Sequence, residues 1–195
     1  MFTLAYTGIR FGDAIALRAS AVDIDGQRIT VSHSATHVAY EGIVETDTKN
    51  HAARSVPIPE FLGNELRSVL DGLTPDARVF PGREGDWLSL GEFQWVFDNA
   101  AVSVGIAGVV PHGLRHTAAS LAISAGANVK VVQRMLGHKT ATLTLDLYGH
   151  LFPDDLDTVA AAMNAGALTA ADELRTEIES AQTSSAQNGQ LPAVS

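Results

Sequence analysis

Apolar residues recur along this chain with two different periods. Past Pro59 the spacing is helical, with Leu62, Leu66, Val69 and Leu70 on one face and Gly72 as a stop. A second helix opens at Ser89, where Glu92 three positions on completes a capping box, and Phe93, Phe97, Ala100 and Val104 supply its buried face before Gly105. Further helices are expected over residues 112–125, 128–136 and 153–163. Between residues 21 and 59 the period shortens to two. Residues 21–31 read as two extended runs about the turn Asp25-Gly26, which is a hairpin signal. Residues 42–46 and 54–59 are further short strands, joined through Asp47-Thr48-Lys49-Asn50-His51, a stretch of turn composition that puts Lys49 near a hairpin tip or strand end. Ahead of them Leu4, Ala5 and Ile9, then Ile15-Ala16-Leu17, follow a helical pattern. Helix, small antiparallel sheet, then many helices predicts a mainly α fold carrying a small three-stranded antiparallel β-sheet, an α+β architecture.

With 195 residues the chain can bury one good core and carry a short appendage. Hydrophobic residues at 46% and charged residues at 18% place it among globular proteins. No stretch reaches the roughly 18 consecutive apolar residues of a membrane span, and the opening Met1-Phe2-Thr3-Leu4-Ala5-Tyr6 has no basic leader. An intracellular protein with no membrane partner is expected. Cysteine is absent, which removes disulfides and thiolate zinc sites without deciding the compartment. Beyond about Ala170 the composition turns to Glu, Ser, Gln, Asn and Pro, and from Ser180 onward it is that of a disordered tail. The expected organisation is therefore a domain over residues 1–167 and a C-terminal segment over 168–195, a short helix followed by that tail. The chain opens abruptly, as if inside a domain.

The net charge of −9 counts, taken alone, against nucleic acid as a partner. Its distribution changes the picture. Residues from 146 onward hold eight acidic groups against one basic, Arg175, whereas residues 1–145 hold fourteen acidic and twelve basic. The larger part of the chain is close to neutral, and local clustering of Arg and Lys can still create a cationic groove.

Candidate chemistry is concentrated in Pro111-His112-Gly113-Leu114-Arg115-His116, in Leu136-Gly137-His138, and in Tyr148 within Leu147-Tyr148-Gly149-His150. Arg10 in Thr7-Gly8-Ile9-Arg10 and Lys49 add two cations. Cutting a phosphodiester with a side chain needs a nucleophile, cations on the non-bridging oxygens and an acid for the departing oxygen. Tyr148, the pair Arg10 and Arg115, and Lys49 or a histidine can fill those roles without a metal. Arginine suits phosphate because its planar fork donates two parallel hydrogen bonds and stays charged. A phenol with a pKa near ~10 must lose its proton as it attacks, and His112 and His138 are the candidates to help. His112 and His116 also stand at the i, i+4 spacing of two metal ligands, but the intervening Glu of a metalloprotease is missing, so no metal and no cofactor is expected. Asp154, Asp155 and Asp157 read as the first turn of a helix, where negative charge is favourable.

In this order the residues resemble the tyrosine recombinases, the phage-integrase family: an Arg after Thr-Gly, a Lys in a β-hairpin, His-x-x-Arg on a helix, a His after Leu-Gly, and a Tyr about ten residues later. The resemblance runs from about residue 3 to about 164. It implies a site-specific DNA recombinase catalytic domain that cuts and rejoins duplex DNA through a 3′-phosphotyrosyl intermediate. Arg10 and Arg115 would hold the scissile phosphate, Lys49 would protonate the leaving 5′ hydroxyl, and His112 would assist proton transfer. His138 would donate a hydrogen bond to a phosphate oxygen, and Tyr148 would be the nucleophile. Contacts to DNA would come from Arg10, Lys49, Arg115, His116, Lys130, Arg134 and Lys139. The resemblance further implies a homo-tetramer on paired attachment sites and a cytoplasmic, nucleoid-associated location. The family often has Glu where this chain has Asp13, and it normally precedes this domain with a DNA-clamping one, so the catalytic domain reads as truncated at its N-terminus.

Three other readings compete. Residues 118–136 have the helix, glycine-containing turn, helix pattern of a noncovalent helix-turn-helix DNA reader, for which Lys130, Gln133 and Arg134 would face the bases. The chain could be a catalytically inert integrase fragment. A relaxing topoisomerase shares the same constellation of side chains.

Overall fold

The computed structural model describes residues 1–47, 53–83, 85–106, 108–152 and 156–188. The chain divides into two compact units, residues 1–152 and residues 153–195.

The first unit opens with two short helices, α1 (Phe2–Thr7) and α2 (Phe11–Ile15), that meet at a tight corner. Gly8 ends α1 in the left-handed conformation at φ 67° and returns its N–H to the Leu4 carbonyl. The buried Thr7 hydroxyl donates to the Thr3 carbonyl and accepts from the Ile9 N–H at 3.4 Å, which satisfies the backbone of the corner. Asp13 starts α2 by accepting from the Arg10 N–H at 2.9 Å. The Arg10 side chain is thereby launched outward from a corner whose backbone is held on both sides.

Among the described residues five strands follow: β1 (Val22–Asp23), β2 (Arg28–Val31), β3 (His33–Val38), β4 (Gly42–Asp47) and β5 (Arg54–Pro57). The predicted three-stranded antiparallel sheet is present, in the order β1-β2-β5, with Val22 opposite Ile29 and Ile29 opposite Val56. A second, two-stranded sheet pairs β3 with β4. Strand β3 carries no alternation to announce it, because of its His-Ser-Ala-Thr-His-Val side chains only Ala35 is buried. The 42–46 run therefore pairs with β3, not with the 54–59 run. Lys49, in the connection between β4 and β5, lies outside the described residues.

The remaining helices of this unit are α3 (Glu60–Leu70), α4 (Leu90–Ser103), α5 (Gly113–Ser124), α6 (Val129–Leu136) and α7 (Ala141–Tyr148). The Ser89–Glu92 capping box at the start of α4 is formed in both directions. Val69 and Val104, expected inside, are exposed; Val104 falls one residue past the end of α4, and on α3 the buried stripe is Leu62, Gly63 and Leu66. Helix α7 departs from its pattern. Thr-Leu-Thr-Leu-Asp-Leu alternates like a strand, yet Thr140 caps the Leu143 N–H and the segment coils, burying Thr144 and Tyr148 on one side. The core joins Ile29, Val31 and Val56 of the sheet to Leu62 and Leu66 of α3, Ala118, Ala119 and Ile123 of α5, Val132, Met135 and Leu136 of α6, and Tyr148.

The described residues of the second unit form one continuous helix, α8 (Leu156–Asn188). It crosses residues 167 and 168 without a break and extends beyond Ser180, where composition suggested disorder; Ala and Gln there are good helix formers, and no Gly or Pro intervenes between 167 and 188. No described helix is long and apolar enough to cross a membrane.

Gly8 is a close-packed junction of α1, α5 and α6. A Cβ there would stand 2.8 Å from Leu136 Cδ2 and 3.2 Å from Ala118 Cβ, in a left-handed backbone conformation. Gly8→Ala is expected to cost about 2–4 kcal/mol, adding left-handed strain to overpacking. Chemical denaturation measures this as a lower midpoint, and an unchanged midpoint would contradict the packing described.

Candidate active site

Arg115 on α5 is 5% exposed and donates to two carbonyls, that of Gly8 at the end of α1 and that of Leu136 at the end of α6. Both acceptors sit where a helix leaves its last C=O groups unpaired and carries partial negative charge. The bonds bring together two segments that continue directly into Arg10 and into His138.

A second arginine does parallel work. Arg54 at the start of β5 makes a 2.5 Å ion pair with Asp13, which is 2% exposed, and donates through Nε to the Met135 carbonyl at 3.4 Å. The same Asp13 oxygen accepts from the Arg10 N–H, so one carboxylate ties β5 to the corner that presents Arg10. Gly137, at φ 65°, closes α6 beside this arginine. A Cβ on Gly137 would lie 3.0 Å from the Arg54 side chain, so the glycine of Leu-Gly-His serves both helix termination and close packing. Arg54 escaped the sequence reading; the available signal was Asp13, an N-terminal helix carboxylate in a hydrophobic stretch that needs a cation when buried.

The nucleophile candidate Tyr148 ends α7 and is 3% exposed. Its hydroxyl lies 2.9 Å from Nδ1 of His116. The His138 ring lies parallel to the Tyr148 ring, 8° between planes and 6.5 Å between centroids. Nδ1 of His138 is 2.9 Å from the fully buried Thr144 hydroxyl, one turn before Tyr148. The His112 ring stands edge-on to His116 at 5.5 Å. Arg115, His116, His138 and Tyr148 thus share one site, with His112 at its margin. Arg10 is exposed, and among the described residues no carboxylate pairs with its guanidinium. Lys130 and Arg134 are exposed on α6 and Lys139 follows it; the Lys130 ammonium meets Gln133 at 3.2 Å.

The protonation states follow from burial within a group of cations. Burial and the charges of Arg10 and Arg54 lower Arg115 to about 10, which leaves it charged at neutral pH. Burial, then Arg115, Arg10 and Arg54, lowers His138 to about 4, and burial with His116, Arg115 and Arg10 lowers His112. Burial raises the Tyr148 phenol while Arg115 pulls it back down. At neutral pH the site holds fixed positive charge on arginines, neutral His138 and a protonated phenol.

The Phage integrase family profile matches residues 1–154, and the chain belongs to that family. Tyrosine recombinase XerC of Corynebacterium glutamicum is 29% identical over 149 residues, covering 74% of this chain and 43% of that protein. The catalytic domain of bacteriophage HP1 integrase superposes with a TM-score of 0.57 at 27% identity, over 82% of this chain and 77% of that one. The Tn1549 transposon integrase, solved in complex with transposon right end DNA, shares the fold with a TM-score of 0.69 at 22% identity, over 85% of this chain and 57% of its own. The chain spans less than half the length of the curated relatives it matches first.

The lowered His138 carries a pH dependence. Its folded value lies below the ordinary value of 6.5, so the unfolded chain takes up a proton first as pH falls and stability is lost between about 6.5 and about 4. His112, also lowered, acts in the same direction. In His138→Gln the slope over this window should flatten. Imidazole NMR should show His138 titrating near 4, and a midpoint near 6.5 would contradict the cationic surroundings.

Proposed function

We propose that this chain cuts and rejoins duplex DNA at a specific site by transesterification. The observation that carries the proposal is the Tyr148 hydroxyl, held by His116 inside a site whose uncompensated charge is positive. The phenolic oxygen attacks the scissile phosphorus, the bond to the 5′ oxygen breaks, and a 3′-phosphotyrosyl link remains. Arg10 and Arg115 neutralise the non-bridging oxygens, Arg10 from an exposed position that can close on the phosphate. Neutral His138, its Nδ1 engaged by Thr144, offers Nε2–H to a phosphate oxygen. Lys49 protonates the departing 5′ oxygen, with His112 assisting proton transfer. Lys130, Arg134 and Lys139 supply backbone contacts. The phosphotyrosyl link retains the energy of the broken bond, so rejoining needs no nucleotide cofactor.

Residues 1–167 act as the catalytic domain and 168–195 as a segment that docks on a neighbouring copy in a tetramer assembled on paired sites, in the cytoplasm at the nucleoid. Leu168, Ala171, Leu174 and Ile178 recur at helical spacing along this segment and are exposed. Deleting 168–195 should weaken self-association on DNA, read by analytical ultracentrifugation; unchanged association would count against the docking role.

The chemistry is tested with a pool of nicked duplexes of randomised sequence, which trap cleavage. Mass spectrometry should find a DNA adduct on the peptide containing Tyr148. Tyr148→Phe should abolish the adduct and keep DNA binding, whereas a noncovalent reader would show binding and no adduct in either protein. Arg10→Ala, at an exposed position, should slow adduct formation by a factor on the order of 10²–10³ without lowering stability. Unchanged kinetics would remove Arg10 from the mechanism.

A further inference from the structure

We infer that His116 is the catalytic base that takes the phenolic proton from Tyr148 during strand cleavage and returns it during rejoining. The inference rests on the strand-cleavage reading above and adds a residue to it. The two histidines that sequence reasoning offered for this task are placed elsewhere. His138 lies parallel to the phenol with Nδ1 turned to Thr144, and His112 stands beyond His116. Among the described residues, Nδ1 of His116 is the one polar atom in hydrogen-bond distance of the Tyr148 oxygen, at 2.9 Å.

The direction of that bond follows from burial. Tyr148 is 3% exposed, so its O–H requires an internal acceptor, and among the described residues only a histidine nitrogen is within reach. The phenol therefore donates, Nδ1 of His116 accepts, and Nε2 of His116 carries the ring proton. Burial keeps the phenol protonated at rest, so attack needs an acceptor for that proton at the moment the bond forms. His116 is exposed on its other side, one residue along α5 from Arg115, which is anchored through both terminal guanidinium nitrogens. Its position relative to the nucleophile is therefore set by the arginine that fixes the site.

The proton balance is complete. As the Tyr148 oxygen bonds to phosphorus, its proton passes to Nδ1 of His116 and gives an imidazolium. The bond from phosphorus to the 5′ oxygen breaks, and that oxygen takes its proton from the acid on the leaving side. In rejoining, the 5′ hydroxyl attacks the phosphotyrosyl link and returns its proton to the group that acted as acid on the leaving side, the phenolate leaves, and His116 gives that phenolate its proton back.

Two measurements test this. In the free protein, 15N NMR of the histidine rings should show Nδ1 of His116 as an unprotonated nitrogen whose resonance moves in Tyr148→Phe, where the donor is gone. A protonated Nδ1, or a resonance indifferent to that substitution, overturns the inference whether or not the chain cleaves DNA. The second uses a duplex captured by the wild-type chain. His116→Gln should slow adduct formation by a factor on the order of 10² or more. Replacing Tyr148 in that variant with a difluorinated tyrosine, which ionises more readily, should recover part of the rate. A bridging 5′-phosphorothiolate, whose sulfur leaves without a proton, should not recover it. Unchanged cleavage in His116→Gln, or recovery by the phosphorothiolate alone, overturns the assignment. Absence of any wild-type adduct would count against the strand-cleavage reading itself, while the NMR result would still decide the direction of the hydrogen bond.

Discussion

The guanidinium of Arg115 is the constraint from which the rest of the site follows. A buried cation is tolerated only when its donors are satisfied, and here the acceptors are the Gly8 and Leu136 carbonyls at the ends of two helices. Hydrogen bonds to a charged group contribute roughly 1.5–3 kcal/mol each. They also set geometry, because each acceptor lies two residues ahead of a candidate site side chain, Arg10 in one case and His138 in the other. The close fit at Gly8, against Leu136 and Ala118, is the steric counterpart of the same junction.

That junction concentrates positive charge. Arg10, Arg54 and Arg115 act together on His138, and the buried carboxylate paired with them is Asp13. Asp13 offsets the charge of Arg54, whereas Arg115 donates to helix-end carbonyls, which leave its charge in place, and Arg10 has no carboxylate partner among the described residues. Burial, and then this surplus, keeps His138 neutral, while Arg115 offsets part of the upward push that burial gives the Tyr148 phenol. It is also what an approaching phosphate would meet. A chain of net charge −9 can thus present a cationic site, since the acidic excess lies largely from residue 146 onward.

Local signals in the sequence carried a large part of the fold. The Asp-Gly hairpin, the Ser89 capping box and the glycines ending α1 and α6 each act within a few residues, so they are legible without tertiary information. Strand β3 and helix α7 were not legible. The first is a polar strand with one buried residue, stabilised by pairing with β4; the second alternates like a strand and coils because Thr144 and Tyr148 must both face the core. The expected edge at Val69 and Val104 failed for a related reason, since a period shows which side chains align but not where the helix axis meets its neighbours.

The candidate site divides along the same line. The order of Arg10, His112, Arg115, His138 and Tyr148 was readable because each residue stands next to its own local marker, a Thr-Gly corner, a helix start or a Leu-Gly cap. Sequence alone determined which groups are available and that they suit a phosphodiester. Tertiary structure decided which of them touch: that Arg115 reaches Gly8 across 107 positions, that Arg54 reaches Met135 across 81, and that His116, 32 positions from Tyr148, is the histidine at its hydroxyl. Hydrogen bonds hold over about 3 Å and depend on direction. Contacts between residues so far apart in the chain are therefore settled only when helices, sheet and core have packed.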